Sequence, residues 1–354
     1  MGVRPTTGVA PLGERSSGPL SDTFGRVHRD LRISLTDRCS LRCTYCMPEQ
    51  GNEWLARSGI LSLDEIERIA RVAAGVGITT FRLTGGEPLL RTDIVEVVRR
   101  LAAITGPDGT PVELAMTTNG IRLPELLPDL MAAGLQRLNV SIDTLHRDRF
   151  AALTRRDRLD DVLAGIRATQ ASGLRPLKLN AVAMRGVNDD EMVQLVEFAL
   201  AHDAQLRFIE QMPLDAGHTW DRAQMVTREE ILAALATRWA LTPVPGRGGA
   251  PAERWLLDGG PQTVGVIASV TAPFCGDCDR LRLTADGQLR NCLFSTAEYD
   301  LMPTLRPAGE QGAEPMDAAI ERVLRACVHG KLPGHAINDP SFLQPARGMN
   351  AIGG

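Results

Sequence analysis

The residues of this 354-residue chain best suited to chemistry are its cysteines, six of which fall into two groups of three. The first trio is Cys39, Cys43 and Cys46, and the second trio is Cys275, Cys278 and Cys292. An iron–sulfur cluster normally takes four cysteine ligands, so three thiolates leave one iron open to an exogenous ligand. An open metal position is what chemistry at a metal requires. One interpretation of the pattern is therefore a pair of open-sided clusters.

Zinc is the alternative for both trios. In the first trio the C-x3-C interval differs from the C-x2-C pairs that zinc sites use, and a fourth ligand would have to come from elsewhere. In the second trio Cys275 and Cys278 do form a C-x2-C pair, but no second pair follows and the nearest downstream histidine is His329. The spacing of the cysteines alone does not decide between an iron–sulfur cluster and a zinc ion at either trio. The seventh cysteine, Cys327, has no cluster partner and is interpreted as a buried helix residue.

Composition excludes several classes of protein. The net charge is −4, without the basic excess of a nucleic-acid-binding protein, and aromatic residues make up only 4% of the chain. No apolar run approaches the roughly 18–20 residues of a membrane span, and the N-terminus shows no apolar signal-peptide core. We therefore expect a cytoplasmic protein without nucleic-acid or membrane partners. Disulfides are not expected there, and an odd number of cysteines cannot all pair.

The elements that position the trios alternate regularly from Leu31 onward. Strands are predicted at 31–35, 79–83, 113–117, 137–142, 177–183 and 205–209, and helices near 63–75, 92–103, 123–133, 159–172, 189–201 and 228–238. Such alternation predicts right-handed crossovers and a parallel sheet, with functional groups at the carboxyl ends of the strands. Periodicity leaves open whether this sheet is doubly wound or closes into a complete or partial barrel. Ser62 and Glu65 predict a capping box at the first helix.

The chain divides into three predicted regions. Residues 1–24 are rich in glycine and proline and predict a flexible arm, residues 25–242 form the βα unit, and residues 243–354 form a C-terminal extension. The extension has β-type runs at 264–270 and 281–284, and a helix near 317–328.

Two motifs resemble those of the radical S-adenosylmethionine (SAM) enzymes. The C-x3-C-x2-C spacing with Tyr45 before the third cysteine is similar to their cluster motif, and Gly85-Gly86-Glu87-Pro88 resembles their glycine-rich motif. Two glycines at a strand end allow backbone to approach a ligand closely. The run from Phe274 to Leu283, with Asp286-Gly287 and 292–294, resembles one family in particular, the GTP 3′,8-cyclases of molybdenum cofactor biosynthesis (the MoaA family). Further similar stretches are 24–26, 30–39, 83–89, 117–120, 139–143, 207–210 and Gly353-Gly354.

This resemblance implies an α/β fold, an incomplete (βα)6-type TIM barrel whose mouth is closed by the C-terminal extension. It implies a radical SAM lyase in which a 5′-deoxyadenosyl radical removes the C3′ hydrogen of GTP. The sugar radical then adds to guanine C8. The product would be (8S)-3′,8-cyclo-7,8-dihydroguanosine 5′-triphosphate, made in the first step of the pathway.

The resemblance also assigns site residues by position. The two trios would each ligate a [4Fe–4S] cluster, and the second cluster would face the guanine base. SAM contacts would be Tyr45, Gly86, Ser141 and Met212. GTP contacts would be Arg32, Arg82, Thr117, Lys178, Arg280, Leu281 and Arg282, with the Gly353-Gly354 tail entering the active site. The catalytic residues among these would be Arg32, Arg280 and Arg282.

Elementary chemistry agrees with an anionic substrate, because arginine meets phosphate oxygens through forked, charge-assisted hydrogen bonds. Internal ion pairs to Asp143 or Glu210 are the alternative for any one of these cations, since a buried cation is costly unless paired. Strand alternation places Arg280 and Arg282 on one face, where a solvated surface is the alternative. Thr80 departs from the family, in which many relatives carry a basic residue at this position.

Beyond GTP, the resemblance implies two partners: a flavodoxin- or ferredoxin-type reductant and a downstream cyclic pyranopterin monophosphate synthase. The sequence leaves the oligomeric state open, with a homodimer among the expected states. Two rival functions remain at this point. One is a radical SAM enzyme with an auxiliary cluster that acts on a peptide or another small molecule. The other is a zinc-binding interaction module, which would leave the glycine-rich motif and the arginines unexplained.

Overall fold

The computed structural model describes residues 18–49, 53–215, 217–307, 315–340 and 342–353. Its strands are β1 (Asp30–Ser34), β2 (Thr80–Thr84), β3 (Glu113–Thr118), β4 (Arg137–Ser141), β5 (Leu177–Ala183), β6 (Ala204–Glu210), β7 (Leu241–Val244), β8 (Glu253–Leu257), β9 (Thr263–Ile267), β10 (Arg280–Leu283), β11 (Gln288–Arg290) and β12 (Tyr299–Asp300). Its helices are α1 (Leu63–Gly75), α2 (Ile94–Ala102), α3 (Leu123–Ala132), α4 (Arg147–Thr154), α5 (Leu159–Ser172), α6 (Met192–Ala201), α7 (Arg228–Ala236), α8 (Met302–Leu305), α9 (Met316–His329) and α10 (Met349–Ile352).

The described strands form a single sheet in the order β12-β11-β10-β1-β2-β3-β4-β5-β6-β9-β8-β7. The six predicted βα strands, β1 to β6, are parallel neighbours, which confirms the predicted parallel sheet. Two strands of the C-terminal extension prolong the parallel part, because β10 pairs with β1 and β9 pairs with β6. In the described chain no pairing joins β12 to β7, so the barrel stays partial, as predicted.

Strand alternation gives the sheet an apolar outer face and a polar inner face. In β5, Leu177 and Leu179 are buried against the helices, whereas Lys178 and Asn180 face the other way and are half-buried. The same alternation places charged and polar side chains on the inner face of the neighbouring strands. A barrel interior lined by such groups is suited to a ligand rather than to a hydrophobic core.

The local sequence predicts the start of helix α1 but gives no indication of helix α4. The predicted capping box of α1 is confirmed, with Ser62 accepting from the Glu65 N–H and the Glu65 side chain accepting from the Ser62 N–H. Helix α4 has no predicted counterpart, because its eight residues are mostly charged or small and no side chain caps its start. Weak amphipathicity in so short a helix leaves little pattern to detect.

The last part of the predicted arm, residues 18–24, lies within the described structure. Residues 1–17 of the predicted arm lie outside the described residues. Leu20, within its last part, is fully buried. The Leu20 N–H donates to the Val76 carbonyl oxygen at 3.1 Å, and the Leu20 carbonyl accepts from the His28 N–H at 2.8 Å. No helix in the described ranges has the length and apolar character needed to cross a membrane.

Candidate active site

The first trio lies on the loop that follows β1. The N–H groups of Cys46 and Met47 both donate to the Cys43 carbonyl oxygen, at 2.9 and 3.0 Å, and form a tight turn. The Arg42 N–H donates to the Thr154 carbonyl oxygen at 2.9 Å, which ties the loop to the end of α4. All three thiols line one cavity of about 730 Å³, called here the first-trio cavity.

The glycine-rich run after β2 packs directly on this loop. Gly85 has φ of +133°, a backbone region that favours glycine. A Cβ atom added at Gly86 would overlap the Arg38 carbonyl oxygen and lie 2.6 Å from the Asp37 carbonyl oxygen. The Gly86 N–H donates to the Thr36 carbonyl oxygen at 2.8 Å. Only glycine therefore allows this close approach between the β2 end and the loop of the first trio.

Two side chains behind the glycine run support the first trio. The buried Glu87 carboxylate accepts from the Thr118 hydroxyl and the Asn119 N–H, both at 2.7 Å. The Asn119 side-chain amide donates to the Ser40 hydroxyl at 3.0 Å and lies 3.9 Å from the Cys39 sulfur. The predicted GGEP motif thus acts through its glutamate as well as its glycines, by fixing the next strand end beside a cysteine.

The predicted SAM contacts Tyr45, Gly86 and Ser141 all line the first-trio cavity. Tyr45 is held by β4 and β5: its hydroxyl donates to Asp143 Oδ2 at 2.8 Å, and the Val182 N–H donates to Asp143 Oδ1 at 2.8 Å. Burial raises the pKa of Asp143 to about 6. These contacts orient the ring of Tyr45 next to the cysteines.

The three thiols of the first trio are buried, so they would need a positive group beside them to be stable as thiolates. Burial raises the pKa of Cys39 to about 11 and that of Cys46 to about 12, and it raises the pKa of Cys43 well above its usual range. Glu87 adds to this effect at Cys39, and Asp143 adds to it at Cys43. Iron ions would supply the positive charge that three crowded thiolates need. No set of three or more His, Cys, Asp and Glu side chains in the described ranges is arranged to hold a single metal ion.

The second trio sits beside cations. Cys275 and Cys278 bracket a short 3-10 turn, Cys292 follows β11, and all three line one cavity of about 480 Å³, the second-trio cavity. An Arg280 guanidinium nitrogen lies 3.2 Å from the Cys278 sulfur, and Lys331 Nζ lies 3.5 Å from it. Burial works against ionisation, but these two cations outweigh it and lower the pKa of Cys278 to about 7. This trio also fits a thiolate-bound cluster.

A central cavity of about 1350 Å³ lies on the inner face of the sheet. It shares Thr117 with the first-trio cavity. It shares Met212, Arg280 and Arg282 with the second-trio cavity. The central cavity therefore borders both cysteine sites, although none of the six trio cysteines is in its own lining.

The central cavity carries an excess of positive charge. Its lining includes three carboxylates, Asp30, Glu113 and Asp279, against six guanidinium groups, those of Arg32, Arg82, Arg137, Arg207, Arg280 and Arg282. Burial and neighbouring guanidinium groups lower the pKa of Arg207 and of Arg282 to about 10, and lower that of Arg32 as well. Across the described residues, Arg32 Nε and Arg82 Nη1 are buried without a hydrogen-bond partner. Excess charge and unused donors suit a polyanion such as a triphosphate.

The two carboxylates considered as internal ion-pair partners are engaged elsewhere. Asp143 accepts from Tyr45, as described above. Glu210 Oε2 accepts from the N–H groups of Val270 at 2.8 Å and Thr271 at 2.9 Å. Both carboxylates therefore hold loops at the strand ends rather than neutralising the cations of the central cavity.

Three of the predicted contacts are not in the lining of the cavity that their predicted role implies. Lys178 lies on the inner face but not in the lining of the central cavity, and burial together with Arg207 lowers its pKa to about 7. Leu281 is fully buried in the hydrophobic core, because alternation directs it away from Arg280 and Arg282. Met212, predicted to contact SAM, lines the central and second-trio cavities and not the first-trio cavity.

The C-terminal tail enters the site. Arg282 Nη1 donates to the Gly353 carbonyl oxygen at 2.5 Å. The Asn350 side-chain amide, on α10, donates to the Asp37 carbonyl oxygen at 3.1 Å. The tail therefore contacts both the second-trio strand and the loop of the first trio. Gly354 lies outside the described residues.

Several residues that line the central cavity were not predicted as site residues from the sequence. Arg137, Asn139, Asn180 and Arg207 all line the central cavity. A polar residue at every second position of an otherwise apolar strand could have indicated them, because strand alternation places all of these side chains on one face of the sheet. Thr80, where many relatives carry a basic residue, also lines this cavity.

Comparison with known proteins identifies the class of protein to which this chain belongs. The family described as the Radical SAM superfamily matches residues 33–199, and the family described as Molybdenum Cofactor Synthesis C matches residues 204–337. The solved structure of SuiB from Streptococcus suis covers 90% of this chain and 67% of its own, with a TM-score of 0.58 at 14% identity. That identity supports a shared fold alone. Fold, cysteine loop and matched region together define a radical SAM protein.

Relatives with similar sequences identify one family within the class of radical SAM proteins. The chain is 54% identical to the GTP 3′,8-cyclase of Streptomyces coelicolor, over 95% of this chain and 96% of that protein. It is 51% identical to the GTP 3′,8-cyclase of Mycobacterium sp. (strain KMS), over 99% and 98%. The chain belongs to the GTP 3′,8-cyclase family. Membership of this enzyme family overturns the zinc-binding interaction module, and the near-full-length match disfavours a peptide-modifying enzyme.

Proposed function

We propose that this chain converts GTP to (8S)-3′,8-cyclo-7,8-dihydroguanosine 5′-triphosphate, the first step of molybdenum cofactor biosynthesis. The observation that carries the proposal is one arginine-rich cavity that shares lining residues with the separate cavities of the two cysteine trios. A triphosphate nucleotide placed there would have its charge neutralised by the barrel wall while its sugar and base lie between the trios.

The first trio would hold a [4Fe–4S] cluster with SAM, bordered by Tyr45, Gly86 and Ser141. The second trio would hold a second [4Fe–4S] cluster facing the guanine base. When bound, the first cluster and SAM supply the organic radical that removes the C3′ hydrogen before C8 is joined to C3′. Met212 would meet SAM from the central cavity.

The protein's own side chains would orient and desolvate the nucleotide. Arg32 and Arg82 offer buried, unused donors for phosphate oxygens, and Lys178 adds charge below them. Thr117 lies where the central cavity meets the first-trio cavity. Leu281 would contribute only through its backbone. Arg280, Arg282 and the Gly353-Gly354 tail would enclose the base side and exclude water from it.

The proposed organisation keeps residues 25–242 as the SAM-binding barrel and residues 243–354 as the region that carries the second cluster. A flavodoxin- or ferredoxin-type protein would supply electrons. A cyclic pyranopterin monophosphate synthase would accept the product, and the chain would act as a monomer or a homodimer. The oxygen-sensitive clusters are the reason to place it in the cytoplasm.

Metal analysis of the anaerobically reconstituted chain tests the cofactor part of the proposal. Two cubane clusters predict about eight iron and eight sulfide per chain. With reductant, SAM and GTP, the loaded chain should yield 5′-deoxyadenosine and a cyclised nucleotide. About one zinc per trio without sulfide, or SAM cleavage that is equal with and without GTP and consumes no nucleotide, would contradict the proposal.

A cysteine substitution separates the roles of the two trios. Cys278→Ser should keep reductive SAM cleavage and lose GTP turnover, because it damages only the second cluster. Cys327→Ala is the control for loss of a cysteine outside the trios, since this thiol is fully buried in the hydrophobic core and lines neither trio's cavity. Equal loss of cleavage and turnover in Cys278→Ser would argue against separate roles.

A further inference from the structure

Lys331 is an unusual cation in this chain. It is one of two lysines among 39 basic residues, and only 4% of it is exposed. It follows α9 directly, and its ammonium has two close neighbours. Lys331 Nζ donates to the Arg280 carbonyl oxygen at 2.8 Å and lies 3.5 Å from the Cys278 sulfur.

The Cys278 sulfur lies close to two cations. The three thiols of the second trio line the second-trio cavity and also a neighbouring cavity of about 1150 Å³, called here the outer cavity. Arg280 lines the second-trio cavity and lies 3.2 Å from the Cys278 sulfur. Lys331 lines the outer cavity and lies 3.5 Å from the same sulfur. The ammonium and the guanidinium therefore both contact this sulfur, and each lines a different one of the two cavities.

The segment that carries Lys331 is fixed in place. Arg26 donates to the Leu332 carbonyl oxygen at 2.8 Å and to the Cys275 carbonyl oxygen at 2.6 Å. Arg26 is itself held by Asp22, at 2.5 Å between Nε and Oδ2. One buried guanidinium thus joins the backbone after Lys331 to the backbone of the second trio. The ammonium stays beside the sulfur because both backbones are tied together.

A buried ammonium is costly unless a negative group compensates it, and the Arg280 carbonyl is neutral. The Cys278 sulfur, as a thiolate, is the negative group that lies within contact distance of the ammonium. Positive charge and hydrogen bonds at cluster sulfurs shift a cluster's potential upward, because they stabilise the extra electron of the reduced state.

We propose that Lys331 is a positioning residue for the second cluster. Its ammonium, together with the Arg280 guanidinium, stabilises the Cys278 thiolate and the added negative charge of the reduced cluster. The inference rests on the proposed second cluster. The competing role is a purely structural tie between the end of α9 and β10 through the Arg280 carbonyl.

The test compares three variants by iron content and by potentiometric titration with dithionite, followed by electron paramagnetic resonance on anaerobic holoprotein. Lys331→Met removes both charge and donor, Lys331→Gln keeps a donor without charge, and Lys331→Arg keeps the charge. A background with Cys39, Cys43 and Cys46 changed to serine assigns the signal of the second cluster. Lys178→Met removes the chain's other ammonium, which is half-buried, and serves as the control for the loss of a lysine charge.

We expect Lys331→Met and Lys331→Gln to lower the ratio of reduced to oxidised second cluster at least tenfold at the wild-type midpoint. For a one-electron couple that is about 59 mV. Lys331→Arg should stay close to wild type, and Lys178→Met should not move the potential. Loss of iron from the second trio in the Met and Gln variants, but not in the Arg variant, would equally support stabilisation of the thiolate.

Other outcomes overturn the inference. Full iron content with an unchanged reduction potential in Lys331→Met and Lys331→Gln would show that the charge of Lys331 does not affect the second cluster. Loss of the second cluster in all three variants, Lys331→Arg included, would show a structural tie. A wild-type chain that binds only about four iron, with none in the serine background, would refute the second cluster itself and so separates that failure from the others.

Discussion

Arg282 donates a hydrogen bond to the Gly353 carbonyl oxygen, so a side chain that lines the central cavity holds the last described residue of the chain. The approach to this contact is anchored by Arg347, whose guanidinium pairs with Asp286 at 2.9 Å. Just before it, Met349 and Asn350 form part of the wall of the first-trio cavity, although they are more than 300 residues from the first trio in sequence.

The first prediction concerns Gly353. It has φ of +69°, and an added Cβ atom would lie 2.7 Å from the Ser34 hydroxyl and 2.9 Å from Thr84 Cγ2. Gly353→Ala should displace the tail from Arg282 and reduce nucleotide turnover roughly tenfold or more. Iron content should be unchanged, because neither trio is touched. Turnover assays paired with iron analysis measure both effects.

Gly334→Ala is the control for that substitution, because nothing lies within 4 Å of the added Cβ atom and Gly334 does not have a positive φ. It should behave like the wild type. If Gly353→Ala turns over GTP at the wild-type rate, the contact between the tail and Arg282 has no part in the reaction.

The second prediction concerns Gly86. A Cβ atom there would overlap backbone of the loop that carries the first trio, and backbone does not move aside cheaply. Gly86→Ala should push this loop away, so the chain should bind about four iron instead of about eight and lose SAM cleavage. Gly59→Ala, with open space around the new methyl group, should keep both. Normal iron content and normal cleavage in Gly86→Ala would contradict the packing described here.

The third prediction is a pH dependence of GTP binding. Burial first, and then Arg207, lower the pKa of Lys178 to about 7 in the free protein. A bound triphosphate favours the protonated amine, so binding above pH 7 requires proton uptake. The dissociation constant should therefore rise between pH 7 and 9, by up to about tenfold per unit. Isothermal titration calorimetry in buffers of different ionisation enthalpy measures both the affinity and the proton uptake.

Lys178→Arg is the matched control for the pH experiment, because a guanidinium stays protonated throughout this range. Its affinity for GTP should be nearly flat from pH 7 to 9. Arg207 and Arg282 titrate near 10 and do not interfere in this window. An equal slope in the wild type and in Lys178→Arg would assign the pH dependence to another group.

The fourth prediction concerns the buried Glu210 at the end of β6. Its Oε1 accepts from the Arg228 N–H at 2.9 Å and its Oε2 from the Val270 and Thr271 N–H groups. Glu210→Gln turns one acceptor into a donor that faces these N–H groups. We expect a loss of about 2 kcal/mol in unfolding free energy, seen as a thermal midpoint lower by several degrees.

Glu197→Gln provides the comparison for Glu210, because Glu197 pairs with Arg238 on the surface and both side chains are about half exposed. A surface pair of this kind contributes at most about 1 kcal/mol. If the two variants unfold at the same temperature, Glu210 does not hold the loops as described.

Local sequence determined much of the framework. The spacing of Cys39, Cys43 and Cys46 is short, so the trio must share one loop whatever surrounds it. The alternation of β5 fixes that Lys178 and Leu179 face opposite ways, and Ser62 with Glu65 fixes the start of α1. Each of these features is set within a few residues by the local sequence, and the capping box was predicted correctly.

The tertiary structure decided what the chain brings together over distance. Pairing of β10 with β1, and of β9 with β6, adds the C-terminal extension to the barrel wall. Only this arrangement places Lys331 on Cys278, Arg282 on Gly353, and the cavities of both trios beside one arginine-rich cavity. The physical reason is that long-range pairing depends on how whole elements pack, which local periodicity does not encode. The sequence alone thus supplied two sets of candidate ligands, and the fold determined that a charged cavity borders both.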